Sequence, residues 1–499
     1  MFAHVSILYK NVLSNSDFLT IMTLSLSQYV SKHDIKGVVV VVKKLLLAVG
    51  ALLMLFPAMA FAADEGPSTA MLNMGLNSLW IVVAFILVLL MQGGFILLET
   101  GSTRMKNAGH VAGKTIFTVG LCTLIYWAFG YGIFNGGADI SDGLRKFIGW
   151  GDFFFSPSNS AGEGDAYPIT TFFLFQLAFA TISLSIAWGG FAERAKLSVY
   201  LVFTVLFSIV IYPVIAHWIW GGGWLAQDGA QDFAGSTVVH LTGALAALAG
   251  TVLLKPRIGK FNKDGSSNEI LGHNQVFSAL SVLLLWVGWF GFNAGSALSV
   301  GDGFFGFVAF NTMLGAGAGT VAALLISWAV SGKADISTTL NGALAGLVAI
   351  TASCAFVDPW AAVVIGLVAG VLVFFSAKLF EKLRIDDPIF ALSVHGAAGV
   401  WGTLANGIFA TDELATKVGV GQGGLIDTGN WHQLWVQFES VVVCGAYVLV
   451  ASFIVLGIMK VVMGLRVTEE QEIIGLDLSE HGTYGYPEQM KKAQNNLQA

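Results

Sequence analysis

The sequence predicts an all-α polytopic membrane protein, and three observations support that prediction. Of 499 residues, 55% are hydrophobic and only 11% are charged, whereas an ordinary soluble domain carries about 25% charged residues. Apolar windows of about 20 residues or more, the length that crosses a bilayer core, recur along the chain beyond residue 70. Glycine is abundant, at 60 residues, while proline is scarce, at 9, and this balance is typical of closely packed apolar helices. These features exclude an ordinary water-soluble enzyme.

The first apolar segment, at residues 36–63, has the order of residues found in a cleaved signal peptide. Lys43 and Lys44 precede a short apolar run, which ends at Ala60-Phe61-Ala62. The run is too short to cross a bilayer comfortably, although an uncleaved first helix is the alternative. Residues 1–35 lack such a pattern, so the sequence leaves the start site open.

Eleven long apolar windows follow, and each predicts one transmembrane helix. They lie at residues 77–99, 115–135, 169–191, 197–219, 233–254, 274–297, 304–330, 338–356, 359–380, 388–410 and 434–464.

The basic residues between the windows predict the orientation, because lysine and arginine are kept on the cytoplasmic side. With the mature amino terminus outside, thirteen fall in inner loops: Arg104, Lys106, Lys114, Arg194, Lys196, Lys255, Arg257, Lys260, Lys263, Lys333, Lys378, Lys382 and Arg384. Three fall in outer loops: Arg145, Lys146 and Lys417. This asymmetry predicts a cytoplasmic carboxyl terminus. We therefore divide the chain into an extension with a signal peptide (1–62), a membrane domain (63–465) and a cytoplasmic tail (466–499).

Composition and motifs exclude several other classes of function. The net charge of −6 provides no basic surface for nucleic acid. Cys122, Cys354 and Cys444 lie in apolar windows without CxxC or Cys/His spacing, so we expect neither a disulfide framework nor a zinc site. The sequence has no nucleophile triad, metal-ligand cluster or phosphate-binding loop. We therefore expect no catalytic residues, no metal and no cofactor.

Two histidines inside the windows are candidate functional residues, since ionisable groups within membrane helices are rare. His240 follows Asp232 by eight residues, and His395 follows Asp387 by the same eight. Asp387, followed by Pro388, is typical of a helix cap and first turn, and Asp232 lies where the fifth window begins. Either histidine alone could be a core residue bonded to a carbonyl, and Asp232 could have a purely structural capping role.

The topology brings these two histidines towards one depth in the membrane. The fifth window runs inward and the tenth runs outward, and eight residues at 1.5 Å each place a histidine about 12 Å below its own face. In a hydrocarbon core of about 30 Å the two imidazoles then lie near the midplane. Windows one to five and six to ten are therefore interpreted as an inverted five-plus-five repeat, an arrangement in which transport proteins place their site at the repeat interface.

Several motifs resemble those of the Amt/Mep/Rh ammonium transporter family. The stretch Asp232-Phe233-Ala234-Gly235-Ser236, continuing through His240 to Lys255-Pro256-Arg257, is similar to the family signature. Further similar elements are Trp220 to Gly223, Phe175-Gln176 with Phe179, Ala192-Glu193-Arg194, Trp289 to Ser296, Asp386-Asp387-Pro388 with His395-Gly396, and Glu472 to Asp477 with His481-Gly482. The matches extend over residues 75–486, and Trp220 with Phe292 makes the chain resemble the Amt branch.

The resemblance implies a homotrimer with one narrow pore in each protomer and no enzymatic activity. It implies that Trp220, Phe179, Ser296 and Asp232 form an outer site that recruits NH4+. It also implies that Phe179 and Phe292 form a gate and that His240 and His395 form a twin-histidine pore lining. Without it, the two phenylalanines among 37 would be interpreted as ordinary packing residues.

The same resemblance assigns a regulatory role to the tail. Glu472, Gly475, Leu476 and Asp477 lie in the matching segment, which would dock under a neighbouring protomer and act with a PII-type signalling protein. A loosely ordered end is the alternative. Phe390 departs from the pattern, since some relatives carry an acidic residue there.

We therefore expect a multi-pass ammonium transporter of a bacterial-type cytoplasmic (inner) membrane, in contact with lipid. It would recruit NH4+ at the aromatic site, deprotonate it and conduct it past the histidines. An ammonium sensor that signals through a partner protein is the alternative. Electrogenic and electroneutral transport are both consistent with this expectation.

Overall fold

The computed structural model describes residues 68–138, 140–157 and 165–488 of the chain. The predicted signal peptide and the extension before it lie outside these residues. Regular structure in the described part is helical, with isolated bridges between extended segments.

Within the described residues there are eleven long helices, and we number them α1 to α11. They are α1 Thr69–Ser102, α2 Met105–Asn135, α3 Ile169–Gly189, α4 197–219, α5 Ser236–Leu254, α6 Gln275–Ala294, α7 Phe304–Ser331, α8 Ile336–Ser353, α9 Pro359–Lys382, α10 392–409 and α11 His432–Val462. Short helices Asp142–Arg145, Asp412–Val418 and Leu425–Thr428 lie between them. After α11, the tail forms α12 Glu469–Ile474 and α13 Leu476–His481.

Ten helices in the described residues are long and apolar enough to cross a membrane, judged by length and composition. Helix α10 is not among these ten, because its buried side chains include the polar residues Ser393, His395, Thr403 and Asn406. The fold is therefore that of a multi-pass membrane protein, and its least apolar long helix carries one of the two candidate histidines.

Helix ends differ from the predicted windows at two places that matter for the site. Helix α2 begins at Met105 rather than at residue 115, so Lys114 is a helical, fully buried residue and not the loop residue that we counted. By the helix bounds of the structure, four of the thirteen basic residues assigned to inner loops lie within helices, namely Lys106, Lys114, Lys378 and Lys382. Helix α10 begins beyond Pro388, so the prediction that this proline lies in the first helical turn is wrong.

Wide π-type turns interrupt several of the long helices. They lie at Tyr126–Gly130, Phe207–Ile211, Ser236–Leu241, Phe290–Ala294 and Leu392–Ala397. Such turns change which side chains face inward and are common at functional sites. Three of the five contain a predicted site residue, namely His240, Phe292 or His395.

Glycine pairs four residues apart bring α7, α8 and α9 into close contact. A Cβ atom on Gly366 would lie 2.2 Å from the carbonyl oxygen of Gly315, and one on Gly370 would lie 2.3 Å from that of Gly319. On α8, a Cβ atom on Gly346 would lie 2.4 Å from the Gly315 oxygen. Small residues allow membrane helices to pack backbone against backbone, so these glycines hold three helices of the body together.

Candidate functional site

Five aromatic side chains form a continuous column of rings in the middle of the molecule. Trp220 packs edge-on against Phe179 at 5.6 Å between centroids, and Phe179 lies 4.3 Å from Phe292. Phe292 is stacked on His240 at 5.4 Å, and His240 is stacked on His395 at 5.2 Å. Trp220 is half-buried and the four other rings are buried. The predicted aromatic and histidine residues thus form one connected path, which we call the ring column.

The two histidines at the end of the column are in hydrogen-bond contact. Nδ1 of His395 lies 3.2 Å from Nδ1 of His240, so one of the two nitrogens carries a proton and the other accepts it. In the neutral pair the rings are therefore opposite tautomers, and one Nε2 is a donor while the other is an acceptor. Nε2 of His240 is buried and has no hydrogen-bond partner within the described residues.

A wide turn at the start of α5 aims His240 into the column. The Asp232 carboxylate accepts hydrogen bonds from the backbone amides of residues 235 to 238, at 2.8 to 3.0 Å. Gly235 adopts φ +115°, a conformation that glycine permits at no steric cost. Asp232 therefore accepts four consecutive backbone amides at the start of α5, and His240 lies one turn farther along.

A related arrangement precedes His395 in α10. The Asp387 carboxylate accepts a hydrogen bond from the Leu392 amide at 2.7 Å, and Phe390 has φ +61°. Phe390 thus follows Asp387 by three residues, as Gly235 follows Asp232. The repeated Asp-to-His spacing of the sequence therefore corresponds to two similar local structures, each with a positive φ and a wide turn.

Asp232 also holds the tryptophan at the other end of the column. The indole nitrogen of Trp220 donates a hydrogen bond to the Asp232 carbonyl oxygen at 2.7 Å. Burial raises the pKa of Asp232 to about 6, and the four backbone amides oppose that rise. The carboxylate is therefore mainly ionised at neutral pH, and it contributes negative charge close to Trp220.

Ser296 and Asp387 lie beside the ring column rather than within it. The Ser296 hydroxyl donates to the carbonyl oxygen of Phe292 at 2.8 Å, which leaves its oxygen lone pairs free to accept a hydrogen bond. Asp387 lines a cavity of about 820 Å³, together with Arg257, Asp335 and Ser393. The cavity therefore adjoins the α10 turn that leads to His395.

Several further residues contact the column, although the sequence analysis gave them no role. Trp289 is stacked on His240 at 5.3 Å, and its indole nitrogen donates to the Thr351 hydroxyl at 2.9 Å. Phe95 of α1 lies 6.3 Å from His395. Trp289 belongs to the Trp289-to-Ser296 motif, which was the signal in the sequence for a role near the site, whereas Phe95 belongs to no motif named above.

A buried ion network joins three of the motifs that resemble the family, those that contain Glu193, Arg257 and Asp386. Arg257 forms two hydrogen bonds to the Asp386 carboxylate, each at 2.9 Å, and a third to Glu193 at 3.1 Å. Burial by itself would raise the pKa of Asp386, but the Arg257 guanidinium outweighs burial and lowers that pKa to about 2. Asp386 therefore remains ionised and fixes the backbone just before Asp387.

The four predicted tail residues all contact the body of this chain. Glu472 forms an ion pair with Arg466 at 2.7 Å and accepts the Ile258 amide at 2.8 Å. The Leu476 amide donates to Asn107 at 2.9 Å, and Gly475, at φ +108°, leaves no room for a Cβ atom beside Lys106.

Asp477 connects the tail to the start of α2. Its carboxylate accepts hydrogen bonds from the amides of Gly109 and His110 at 3.0 and 2.7 Å. The tail is therefore a folded part of the protein as far as residue 488, rather than the loosely ordered end that was the alternative.

Within the part of the chain that the structure describes, no group of three or more histidine, cysteine or acidic side chains could hold a metal ion. The three cysteines are buried, and none of them forms a disulfide. The side chains of the ring column are aromatic rings and imidazoles.

Comparison with known proteins gives a consistent result over most of the chain. The model of the Ammonium Transporter Family matches residues 79–486. Ammonium transporter Amt2 of Archaeoglobus fulgidus is 41% identical over 453 residues, which cover 87% of this chain and 94% of that protein. An ammonium transporter of Bacillus subtilis is 35% identical over 407 residues, which cover 81% of this chain and 97% of that protein.

Solved structures also resemble this one. A structure described as "Sensor Amt Protein" matches with a TM-score of 0.76 and 36% identity, and the match covers 82% of this chain and 99% of that chain. The crystal structure of Candida albicans Mep2 matches with a TM-score of 0.74 and 28% identity, covering 85% and 94% of the two chains.

Proposed function

Because the chain belongs to the Amt branch of the ammonium transporter family, whose members are transporters and not enzymes, we propose that it moves ammonium across the cytoplasmic (inner) membrane along the ring column. The observation that supports this most strongly is the unbroken series of ring contacts from Trp220 to His395. The column ends in two imidazoles in contact with each other, an arrangement suited to a small hydrogen-bonding solute.

The outer end of the column is the proposed recruitment site for NH4+. The faces of Trp220 and Phe179 attract a cation, and such a contact contributes about 1 to 2 kcal/mol when partly desolvated. The Ser296 oxygen can accept a hydrogen bond from the ion. Asp232, whose backbone carbonyl oxygen accepts the Trp220 indole N–H, also carries an ionised carboxylate, and this charge favours a cation over a neutral solute.

The proton leaves the substrate at the gate formed by Phe179 and Phe292. These two rings are 4.3 Å apart, so a hydrated ion cannot pass between them without ring motion. The free energy needed to move a charge into a dry, low-dielectric path is far larger than the binding free energy of the outer site. Neutral NH3 avoids that cost, and the separated proton then needs its own carrier.

The twin histidines provide both a path for NH3 and a relay for the proton. Each imidazole nitrogen can donate or accept a hydrogen bond, and the Nδ1 contact of 3.2 Å links the two rings. Accepting a proton at one outer nitrogen and releasing one at the other reverses both tautomers without placing a free charge in the path. NH4+ re-forms beyond His395.

The proposed topology has eleven spans, the amino terminus outside and the carboxyl terminus in the cytoplasm. Helix α10 is included as a span because it lies among the other long helices and carries His395. The similar arrangements before His240 and His395 support the inverted five-plus-five repeat. The basic residues that connect the helices support the orientation.

The proposed assembly is a homotrimer with one pore in each protomer, as the family resemblance implies. The tail, with Glu472, Gly475, Leu476 and Asp477, is proposed to regulate transport together with a PII-type protein. The tail forms hydrogen bonds with the starts of α2 and α4. These contacts support the proposal, because a movement of the tail would act on the membrane helices of its own chain.

Purified protein in liposomes tests the function directly. An ammonium pulse on a solid-supported membrane should give a current, while an equal potassium pulse should not. Internal pH recorded in parallel distinguishes NH4+ transport from neutral NH3 entry, because neutral entry alkalinises the lumen without current. If neither signal is seen with ammonium, the protein is not a transporter.

Replacing His240 or His395 by leucine tests the relay. We expect either change to abolish the selectivity for ammonium over potassium or the ammonium current itself. Unchanged current and unchanged selectivity in both variants would contradict the relay role.

The second candidate function is an ammonium sensor that signals through a partner protein, and the similarity to the structure described as "Sensor Amt Protein" favours it. The liposome experiment separates the two functions, because a sensor binds ammonium without sustained flux. Saturable binding in the absence of both current and alkalinisation would support the sensor.

A further inference from the structure

Gln437, on α11, uses its whole hydrogen-bonding capacity in a buried position. Its Oε1 accepts from the Gln231 amide at 2.8 Å and from Gln433 Nε2 at 3.2 Å. Its Nε2 donates to the carbonyl oxygens of Gln231 at 2.6 Å and Thr403 at 3.1 Å. A side-chain amide has two acceptor and two donor positions, and the Gln437 side chain, at 0% exposure, fills all four.

Two of these bonds clamp one residue of the chain. Gln437 bonds both the N–H and the C=O of Gln231, as a neighbouring strand would, although it extends from a membrane helix. Rotation of either amide would leave buried polar atoms unpaired, which costs about 1 to 3 kcal/mol for each group. The backbone of Gln231 is therefore held in one orientation relative to α11.

The clamped residue is directly connected to the outer end of the ring column. Gln231 precedes Asp232, whose carbonyl oxygen accepts the Trp220 indole N–H at 2.7 Å. Gln231, which Gln437 holds, is thus separated from Trp220 by one residue and one hydrogen bond. On the other side, Phe233 and Ala234 donate to Ala352 and Thr351 of α8 at 3.2 and 3.1 Å, so Asp232 lies between two anchored points.

We propose that Gln437 is a positioning residue for the outer cation site, which acts through Gln231 and Asp232 to fix the Trp220 ring. The inference rests on the proposed ammonium transport. Gln437 does not touch the ring column, so it affects how well the cation is recruited and not how fast the gate and the histidines pass it on.

The experiment is a double-mutant cycle in liposomes, read as the ammonium concentration for half-maximal current and as the maximal current per inserted protein. Gln437→Met keeps the size and removes the amide. We expect half-saturation to rise about fivefold or more, while maximal current stays within about twofold. In a Trp220→Leu background, Gln437→Met should cause no further rise, because the residue it positions is already gone.

Gln433→Met is the matched control. Gln433 belongs to the same buried amide group, but its backbone bonds go to Gly229 and Gln422, so half-saturation should change less than about twofold. Equal shifts in the Gln433 and Gln437 variants, or multiplied effects in the Trp220→Leu background, would overturn the proposal, since both indicate general disruption of the fold.

The two proposals fail in different ways. Wild-type protein that shows no ammonium flux disproves the proposed function, whereas normal flux with an unchanged half-saturation in Gln437→Met disproves the positioning role alone. If Gln437→Met does not fold, Gln437→Asn replaces it, because this variant keeps the amide but is one methylene too short to reach Gln231. The same rise in half-saturation is expected, and an unchanged value overturns the inference.

Discussion

Gly235 shows how one residue controls the candidate site. Its φ of +115° allows the chain to turn between Asp232 and the helix that carries His240. A Cβ atom there would lie 2.6 Å from a methyl carbon of Val239 and 3.0 Å from the Trp220 ring. Glycine is thus required both by the backbone conformation and by the space beside the tryptophan.

We predict that Gly235→Ala destabilises the protein by about 1 to 3 kcal/mol and raises half-saturation for ammonium about tenfold or more. The added methyl group strains the backbone and displaces Trp220. Thermal unfolding in detergent and liposome currents measure the two effects.

The control for this prediction is Gly303→Ala. Gly303 also has a positive φ, +73°, but a Cβ atom there meets nothing within 4 Å. The Gly303→Ala variant should lose stability without a change in the ammonium concentration for half-maximal current. Equal half-saturation in wild type and Gly235→Ala would show that crowding at Trp220 does not matter for recruitment.

At the level of the helices, α1 and α2 are joined by an ion pair in the protein interior. Lys114 Nζ lies 2.6 Å from Glu99 Oε2, and both side chains are 0% exposed. The ammonium group of Lys114 also lies 5.8 Å from the Trp188 ring and 5.4 Å from the Tyr200 ring. A buried charge is tolerated when it is paired, and removing one partner leaves the other uncompensated.

We predict that Lys114→Met lowers the free energy of unfolding by about 3 to 5 kcal/mol, and that adding Glu99→Gln restores most of it. Glu99→Gln removes the carboxylate charge that Lys114→Met leaves unpaired in the apolar interior. Thermal unfolding of the two single variants and the double variant gives the coupling between the residues.

Lys417→Met is the matched control for the buried pair. Lys417 and Asp302 are also 2.6 Å apart, but their side chains are 42% and 59% exposed. Exposed pairs contribute about 0 to 1 kcal/mol, so this variant should unfold close to wild type. A Lys114→Met variant as stable as Lys417→Met would show that the buried pair is not a stabilising contact between α1 and α2.

Across the whole molecule, the tail connects helices that are distant in the sequence. Asp477 caps the start of the regular α-helix in α2, and the Glu480 carboxylate accepts the Leu197 amide at the start of α4 at 2.9 Å. Lys106 in turn donates to the carbonyl oxygens of Glu472 and Ile473. Any force that moves the tail therefore acts on the ends of two membrane helices.

We predict that Asp477→Ala releases the tail and lowers the free energy of unfolding by about 1 to 2 kcal/mol. The backbone amides of Gly109 and His110 lose their acceptor. Hydrogen exchange should rise at residues 108–111 and across α12 and α13.

Glu470→Ala is the control for this prediction, because it removes the same charge from an exposed tail position. Its exchange should match that of wild type. If the tail of Asp477→Ala exchanges as slowly as that of wild type, the other contacts hold the tail in place without the Asp477 carboxylate, and the prediction is wrong.

The sequence predicted the helices and the twin histidines for identifiable physical reasons. Length and hydropathy define spans locally, and ten helices in the described residues meet those criteria. The Asp232-to-His240 and Asp387-to-His395 spacings were visible because each pair lies within one short segment.

The remaining features depend on contacts between distant segments. Lys114 looked like a loop residue because its partner, Glu99, lies on another helix and hydropathy alone placed the start of α2 too late in the chain. The clamp on Gln231 leaves no periodic signal, since it depends on the side chain of Gln437, which lies 206 positions away in the sequence. For the same reason, Trp289 could not be distinguished from an ordinary core tryptophan.

The cap that Asp477 places on α2 has a consequence for the biosynthesis of the protein. The amides of Gly109 and His110 are made 367 or 368 positions before the carboxylate that binds them. During translation, this helix end stays open until almost the whole chain has left the ribosome. A chain that ends before Asp477 therefore lacks the carboxylate that accepts these two amides.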